Sequence, residues 1–248
     1  MRICIYKDAL DMGKHAAMIA ALHIRHAIEK KAECSLILAT GTSQFTMLDA
    51  LVKEPNIDWS KVEVFHLDEY VGIPDTHNAS FRKYLRERFA ERVPALQAFH
   101  YIHADAPNLS QELTRLSRLI ASKTIDVACI GIGENGHLAF NDPPAQLTTK
   151  EPYLVVQLDE ACRKQQVGEG WFKNISEVPL QAISMSIPQI LKSECIVCSV
   201  PAARKAEAVY MAVAAPIDPM HPCASLRAHS NCYLMLDRPA ASLICPSI

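Results

Sequence analysis

Long apolar runs are missing from this 248-residue chain. Nowhere do eighteen apolar residues follow one another, so no membrane-spanning helix is expected. An excess of charge of one sign is missing too. Lys and Arg number 25 against 27 Asp and Glu, and the formal net charge is −2. With no block of five or six like charges, the chain offers no long-range attraction to phosphate backbones or anionic lipid, which excludes nucleic acid and membrane as expected partners. Met1 leads straight into the strand-like run Arg2-Ile3-Cys4-Ile5-Tyr6, without a long apolar stretch followed by a small-residue cleavage site, so secretion is not expected. A disulfide framework is not suggested either. The cysteines number nine, an odd count, and Cys4, Cys34, Cys129, Cys195 and Cys198 sit in apolar segments, which suits buried thiols in a reducing, cytoplasmic setting. Repeats, low-complexity tracts and linkers are absent; the proline-rich residues 216–222 are too short to join domains. What is present, 50% hydrophobic and 21% charged residues, suits one globular domain over residues 1–248.

Short apolar runs alternate with helical periodicities. Strands are expected at 2–6, 35–39, 62–67, 99–102 and 126–132, with helices at 8–31, 45–52, about 110–121, and from an N-cap at Asn78 to about Ala90. Beyond Pro144 the pattern loosens: strands at 153–157, 182–187, 195–200 and 232–236, a polar glycine-containing stretch at 163–170, and a helix at 202–212. The alternation predicts a single doubly wound, mostly parallel sheet with helices on both faces, a Rossmann-like α/β fold.

In such sheets ligands bind beyond the carboxyl ends of the strands, and three polar motifs fall there. Thr40-Gly41-Thr42-Ser43 places hydroxyls and backbone N–H groups before a helix, an arrangement that holds phosphate. Asp68-Glu69-Tyr70 follows an apolar strand directly, so Asp68 is the candidate base, its pKa raised by desolvation. The run Gly131-Ile132-Gly133-Glu134-Asn135-Gly136-His137-Leu138-Ala139-Phe140-Asn141-Asp142-Pro143 sets a titratable imidazole among glycines, with Asp142 able to fix its tautomer. Lys205, early in the 202–212 helix, is a candidate cation for the same edge. Taken singly, each motif also fits a structural role: an N-cap turn, solvated turn carboxylates, a hydrogen-bonded histidine, a surface lysine. Their coincidence at strand ends is the functional argument. Cys195-Ile196-Val197-Cys198 has CxxC spacing, but inside a strand its thiols face opposite sides, and His221, Cys223 and His229 lack a fourth ligand; neither is expected to bind metal.

These residues resemble the glucosamine-6-phosphate deaminase (isomerase) family: residues 40–43 its phosphate loop, 68–72 its Asp-Glu-Tyr-Val-Gly segment, and 131–143 its glycine-histidine signature. The resemblance implies that Asp68 moves a proton between C2 and C1 of an open-chain amino-sugar phosphate and that His137 opens the ring. Asn135 and Asp142 would orient and charge-tune that histidine, and Lys205 would bind phosphate. It further implies a small sugar-phosphate ligand, no cofactor and no metal, and it admits a homo-oligomer. The chain departs from the family in two places. Gly170 stands where an arginine commonly precedes the aromatic pair Trp171-Phe172, leaving Arg163, Lys164 or Arg204 as substitutes, and Asp142 replaces a longer Glu. A 6-phosphogluconolactonase-like hydrolase and a sugar-phosphate sensor without turnover are the alternatives.

Overall fold

The computed structural model describes residues 1–93 and 95–245. Strand β1 (Arg2–Tyr6) leads into helix α1 (Ala9–Lys31), which starts where the Asp8 carboxylate accepts the Asp11 amide at 2.9 Å. The helix ends at Ala32, whose φ of 62° turns the chain away. Its buried stripe includes Gly13, Ala16, Ala17, Ala20 and Ala21, small residues that let the helix lie close against the sheet and α2 (Phe45–Leu51).

Strands β2 (Cys34–Leu38), β3 (Val62–His66), β6 (Val127–Ile130) and β9 (Cys195–Val200) are buried at every position, which is why they read as mainly apolar runs, with Ser35, Glu63, His66 and Ser199 as buried polar exceptions. With β10 (Cys232–Asp237) and the edge strand β5 (Ala98–His100) they form a seven-stranded sheet in the order β1-β10-β9-β6-β2-β3-β5, every pair parallel. Side chains of α1, α2 and α3 (Phe81–Leu85) cover one face; α4 (Leu109–Ala121) and α7 (Ala206–Ala214) cover the other. The fold is therefore the expected doubly wound one.

It carries an addition. Asp68–Tyr70 forms a short strand, β4, that pairs antiparallel with β8 (Gln181–Met185), and β8 pairs with β7 (Tyr153–Gln157), giving a separate three-stranded sheet. The expected strands at 153–157 and 182–187 thus lie outside the main sheet, and Ile183, Met185 and Tyr153 pack on the face shared with α4 and α7. The short helix α6 (Ile187–Ile190) follows β8.

Two expected boundaries need correction. Helix α3 is capped by Ser80, not Asn78: the Asn78 side chain instead accepts from Lys83 Nζ, and the buried Glu69 carboxylate takes the Phe81 and Arg82 amides. A π-helical turn, Arg86–Ala90, extends it to the expected end. The polar stretch after 163 is largely helix, α5 (Glu160–Gly168), capped by Asp159. Only Cys162 and Gln166 are buried on it, so no apolar period announced it.

The thiols conform to the strand argument. Cys195 packs toward α1 and Cys198 toward α7, and all nine cysteines are free. His221 pairs with Asp218 at 2.9 Å while His229 contacts the Ser193 carbonyl, so these histidines hold loops. Among the described residues no helix is long and apolar enough to cross a membrane.

The closeness of α1 and α2 makes a prediction. A Cβ added at Gly13 would lie 2.7 Å from the Thr46 backbone carbonyl carbon. Although alanine favours helix, Gly13→Ala should destabilise the fold by ~1–3 kcal/mol, read as a lowered denaturant midpoint at unchanged slope; an equal or higher midpoint would contradict this packing.

Candidate active site

The chain places β2, β3 and β5 outward in one direction, then returns to set β6 on the other side of β2. The order reverses there, and the loops leaving β2 and β6 diverge to open a crevice at their carboxyl ends. Residues 40–43 after β2, Asp68 beyond β3, and Gly131, Gly133 and His137 after β6 all line it, together with Lys205. Sequence positions more than 160 residues apart thus face one cavity.

The two neighbouring acids have different surroundings, because successive residues of a strand point to opposite sides. Asp68, held in β4 opposite Ser184, lines the crevice; its Oδ1 is buried without a hydrogen-bond partner. Burial, reinforced by the nearby Glu69, pushes its carboxyl up to about 8. Glu69 turns inward and accepts from the Ser80 hydroxyl and the amides of Tyr70, Phe81 and Arg82, between 2.8 and 3.1 Å. Burial still drives it up to about 7 against those bonds. Glu69 is thus the anchor of α3, and Asp68 is the acid left for a ligand.

His137 sits on a turn shaped by its own motif. Gly136 adopts φ 84°, and a Cβ at Gly133 would lie 2.2 Å from the imidazole, so glycine at 133 is what lets the ring occupy its place. The His137 amide donates to Asn135 Oδ1 at 3.1 Å. Nδ1 stands 3.0 Å from Asp142 Oδ1, a close contact without hydrogen-bond alignment that becomes an ion pair when the ring is protonated. The shorter Asp142 therefore does reach the ring. Asn135 Nδ2 bridges Asp142 and Asp159 at 3.0 and 3.1 Å, and the Asp159 amide donates to Asp142 Oδ2. Burial opposes ionisation of Asp142, but His137 and these donors outweigh it and hold the carboxyl below its ordinary value. His137, Asp142 and Cys162 place metal-capable atoms within 4.8 Å of one another, and burial and the neighbouring carboxylates push the Cys162 thiol up.

At the other end of the crevice, Asp237 accepts the Ala202 amide at 3.0 Å and fixes the turn that launches Arg204 and Lys205. Lys205 is 2% exposed, and burial lowers its ammonium to about 8 against the pull of Glu169 and Glu134. Of the three cations that could replace the missing arginine, Arg204 is at the loop, its Nη2 2.8 Å from Thr42 Oγ1. Arg163 instead donates to the Ile175 and Val178 carbonyls, and Lys164 pairs with Glu160 on the surface.

Sequence reasoning missed the contribution of α5. Gln165, Gln166 and Glu169 line the crevice, and Gln166 accepts from the buried Tyr70 hydroxyl at 2.5 Å. Tyr70 is ringed by Phe81, Phe140 and Phe172 at 4.9 to 5.3 Å, an aromatic cluster that seats this helix over the site.

The buried Asp68 has a thermodynamic signature. Its carboxyl rises from 3.8 to about 8 on folding, so between those values the native state binds more protons than the unfolded chain and stability falls as pH rises. Asp68→Asn removes that loss. Its thermal midpoint relative to the native protein should climb from pH 4 to pH 8, by roughly 2–4 °C for each kcal/mol recovered; a pH-independent difference would contradict the burial.

With this geometry in view, comparison with known proteins is specific. Residues 7–234 match the family described as glucosamine-6-phosphate isomerases/6-phosphogluconolactonase. The chain is 33% identical to the glucosamine-6-phosphate deaminase of Exiguobacterium sp., across all of this chain and 94% of the relative, and 30% identical to that of Bacillus pumilus, across 98% and 100%. A solved monomeric glucosamine-6-phosphate deaminase superposes with a TM-score of 0.87 at 29% identity, covering 98% of this chain and 100% of the other. A putative 6-phosphogluconolactonase from Neisseria gonorrhoeae, at 18% identity and a TM-score of 0.76 over 96% of this chain and 100% of its own, shares the fold. The chain belongs to the glucosamine-6-phosphate isomerase/6-phosphogluconolactonase family.

Proposed function

We propose that the protein is a cytoplasmic aldose–ketose isomerase that takes glucosamine 6-phosphate, or a close epimer, and water to a ketose 6-phosphate and ammonia. The observation that carries this reading is the Asp68 carboxyl, buried and unpartnered at Oδ1 in the crevice that also holds His137. The substrate phosphate lies in the residue 40–43 loop against Lys205 and Arg204, which fixes the sugar in reach of both groups. His137, through the nitrogen not facing Asp142, takes the proton of the anomeric hydroxyl and gives it to the ring oxygen as the C1–O5 bond breaks. The Asp142 carboxylate stabilises the imidazolium that forms in between.

In the open chain Asp68 removes the C2 proton while O1 takes a proton from the C2 ammonium, giving an enolamine; Asp68 then returns its proton to C1, leaving a protonated imine at C2. Water adds to that imine and ammonia departs, so atoms balance without a redox step. A carboxyl held at about 8 is better matched to taking a carbon-bound proton near neutrality than one at its ordinary 3.8. Lactone hydrolysis needs only a base for water, which His137 could supply, and would leave the buried Asp68 without a task. The four-donor support of Glu69 and the exact-fit glycine at 133 favour a worked active site over a passive sensor pocket.

Ammonia release from glucosamine 6-phosphate and its epimers tests this directly; no release from any of them refutes the assignment. Asp68→Asn should lower kcat/KM by about 10²–10⁴ while inorganic phosphate still competes, whereas His137→Gln should spare an open-chain substrate more than the cyclic one. Undiminished turnover in Asp68→Asn contradicts its role.

The pH profile of kcat/KM should rise with slope one toward about 8 as Asp68 ionises, then fall as Lys205, also at about 8, loses its charge. An acid limb with its midpoint near 4, the ordinary carboxylate range, would contradict the base assignment.

A further inference from the structure

The residue 40–43 loop already holds an anion, and it belongs to the chain itself. Glu169, one residue past the end of α5 and its side chain 4% exposed, points its carboxylate into the loop: Oε2 lies 3.5 Å from the Thr42 amide and would lie 3.7 Å from a Cβ at Gly41. Gln165 Nε2 and Trp171 Nε1 hold it there at 2.9 and 3.2 Å. Arg204 Nη2 approaches Oε1 at 3.4 Å while its Nη1 approaches Glu134 at 3.5 Å. The two cations at this end, Arg204 and Lys205, thus face two carboxylates, and the cradle is neutral before any ligand arrives. Burial works against the Glu169 charge, but Gln165, Lys205, Arg204 and Trp171 outweigh it, so the carboxylate stays ionised at neutral pH.

A phosphate dianion cannot share this space. It needs the Thr42 amide and the Arg204 guanidinium that Glu169 engages, and at a few ångströms two like charges in a half-buried site repel even at an effective dielectric of about 20. We infer that Glu169 is a specificity-determining residue that fills the phosphate cradle as an internal anion, so that a substrate's phosphate enters only by displacing this carboxylate. The inference rests on the reading of residues 40–43 as the phosphate cradle. It explains why a chain with Gly170 in the arginine's place can keep a charged arm over the loop: Arg204 is neutralised from within until the ligand takes over. Phosphate binding is therefore weaker than an open cradle would give, and the indole of Trp171 loses its acceptor whenever phosphate is bound.

Inorganic phosphate is the probe, which keeps the test independent of turnover. Two tryptophans give two indole N–H resonances, and Trp171→Phe tells Trp171 from Trp59. Titration of native protein with phosphate should shift the Trp171 indole saturably. In Glu169→Gln, which keeps the shape and removes the charge, the phosphate Kd should tighten about tenfold, with the KM for any turned-over sugar phosphate falling in parallel. Glu169→Asp, which withdraws the carboxylate by one methylene, should tighten in the same direction and serves where the glutamine variant does not fold. Tightening of less than threefold in a folded variant, phosphate binding that leaves the Trp171 indole unmoved, or no phosphate binding in either protein overturns the inference. Absence of ammonia release with the Glu169 effect intact would instead refute the deaminase reading alone.

Discussion

Between β2 and β6 the main sheet reverses the direction in which strands are added, and the crevice opened there is the constraint on which the rest of the site depends. The groups lining it arrive from different connections: the 40–43 loop from β2, Asp68 from the end of β3, the histidine turn from β6, Gln165, Gln166 and Glu169 from α5 and the residue after it, and Lys205 from the end of β9. None of these segments could form the site alone. Strands buried on both faces give rigid, register-locked supports, so the polar ends are placed by core packing.

Within that frame the chemistry is set by how water is excluded. Asp68 and Glu69 are adjacent acids that burial makes unequal in role, because one is consumed by three amides and a hydroxyl and the other is left facing the cavity. The small antiparallel sheet is what makes this possible. Pairing of β4 with β8 pins the two acids to opposite sides of a strand, where a flexible turn would have left both in solvent. At His137 the order is inverted: Asp142 is kept charged by the donors around it, so a proton arriving on the ring finds its counter-ion in place.

Much of this was legible in the residues. The buried strands announced themselves as short, mainly apolar runs, and the strand-end motifs fell where a parallel sheet exposes its carboxyl edge. Three features were not legible, each for a physical reason. Helix α5 buries Cys162 and Gln166 in place of an apolar stripe, so it carries no hydrophobic period. The strand at Asp68–Tyr70 is three residues long, too short for alternation to register, and its partner is more than 110 residues away. The cap of α3 was assigned to Asn78 because the competing acceptor, Glu69, is remote in sequence from the amides it takes. The occupant of the residue 40–43 loop follows the same pattern: Glu169 sits 127 residues from Thr42, and only tertiary packing brings its carboxylate there.

The central claim is that two proton-handling groups act on one small guest in one crevice. A crystal structure with an open-chain amino-alditol 6-phosphate tests it most directly. The account predicts C1 and C2 of the analogue within about 3–3.5 Å of the Asp68 carboxylate, its O5 beside the His137 ring, and its phosphate against Thr42 with the Glu169 side chain turned away. An analogue bound in another cavity, or in this one with its carbon chain facing away from Asp68, would contradict the account.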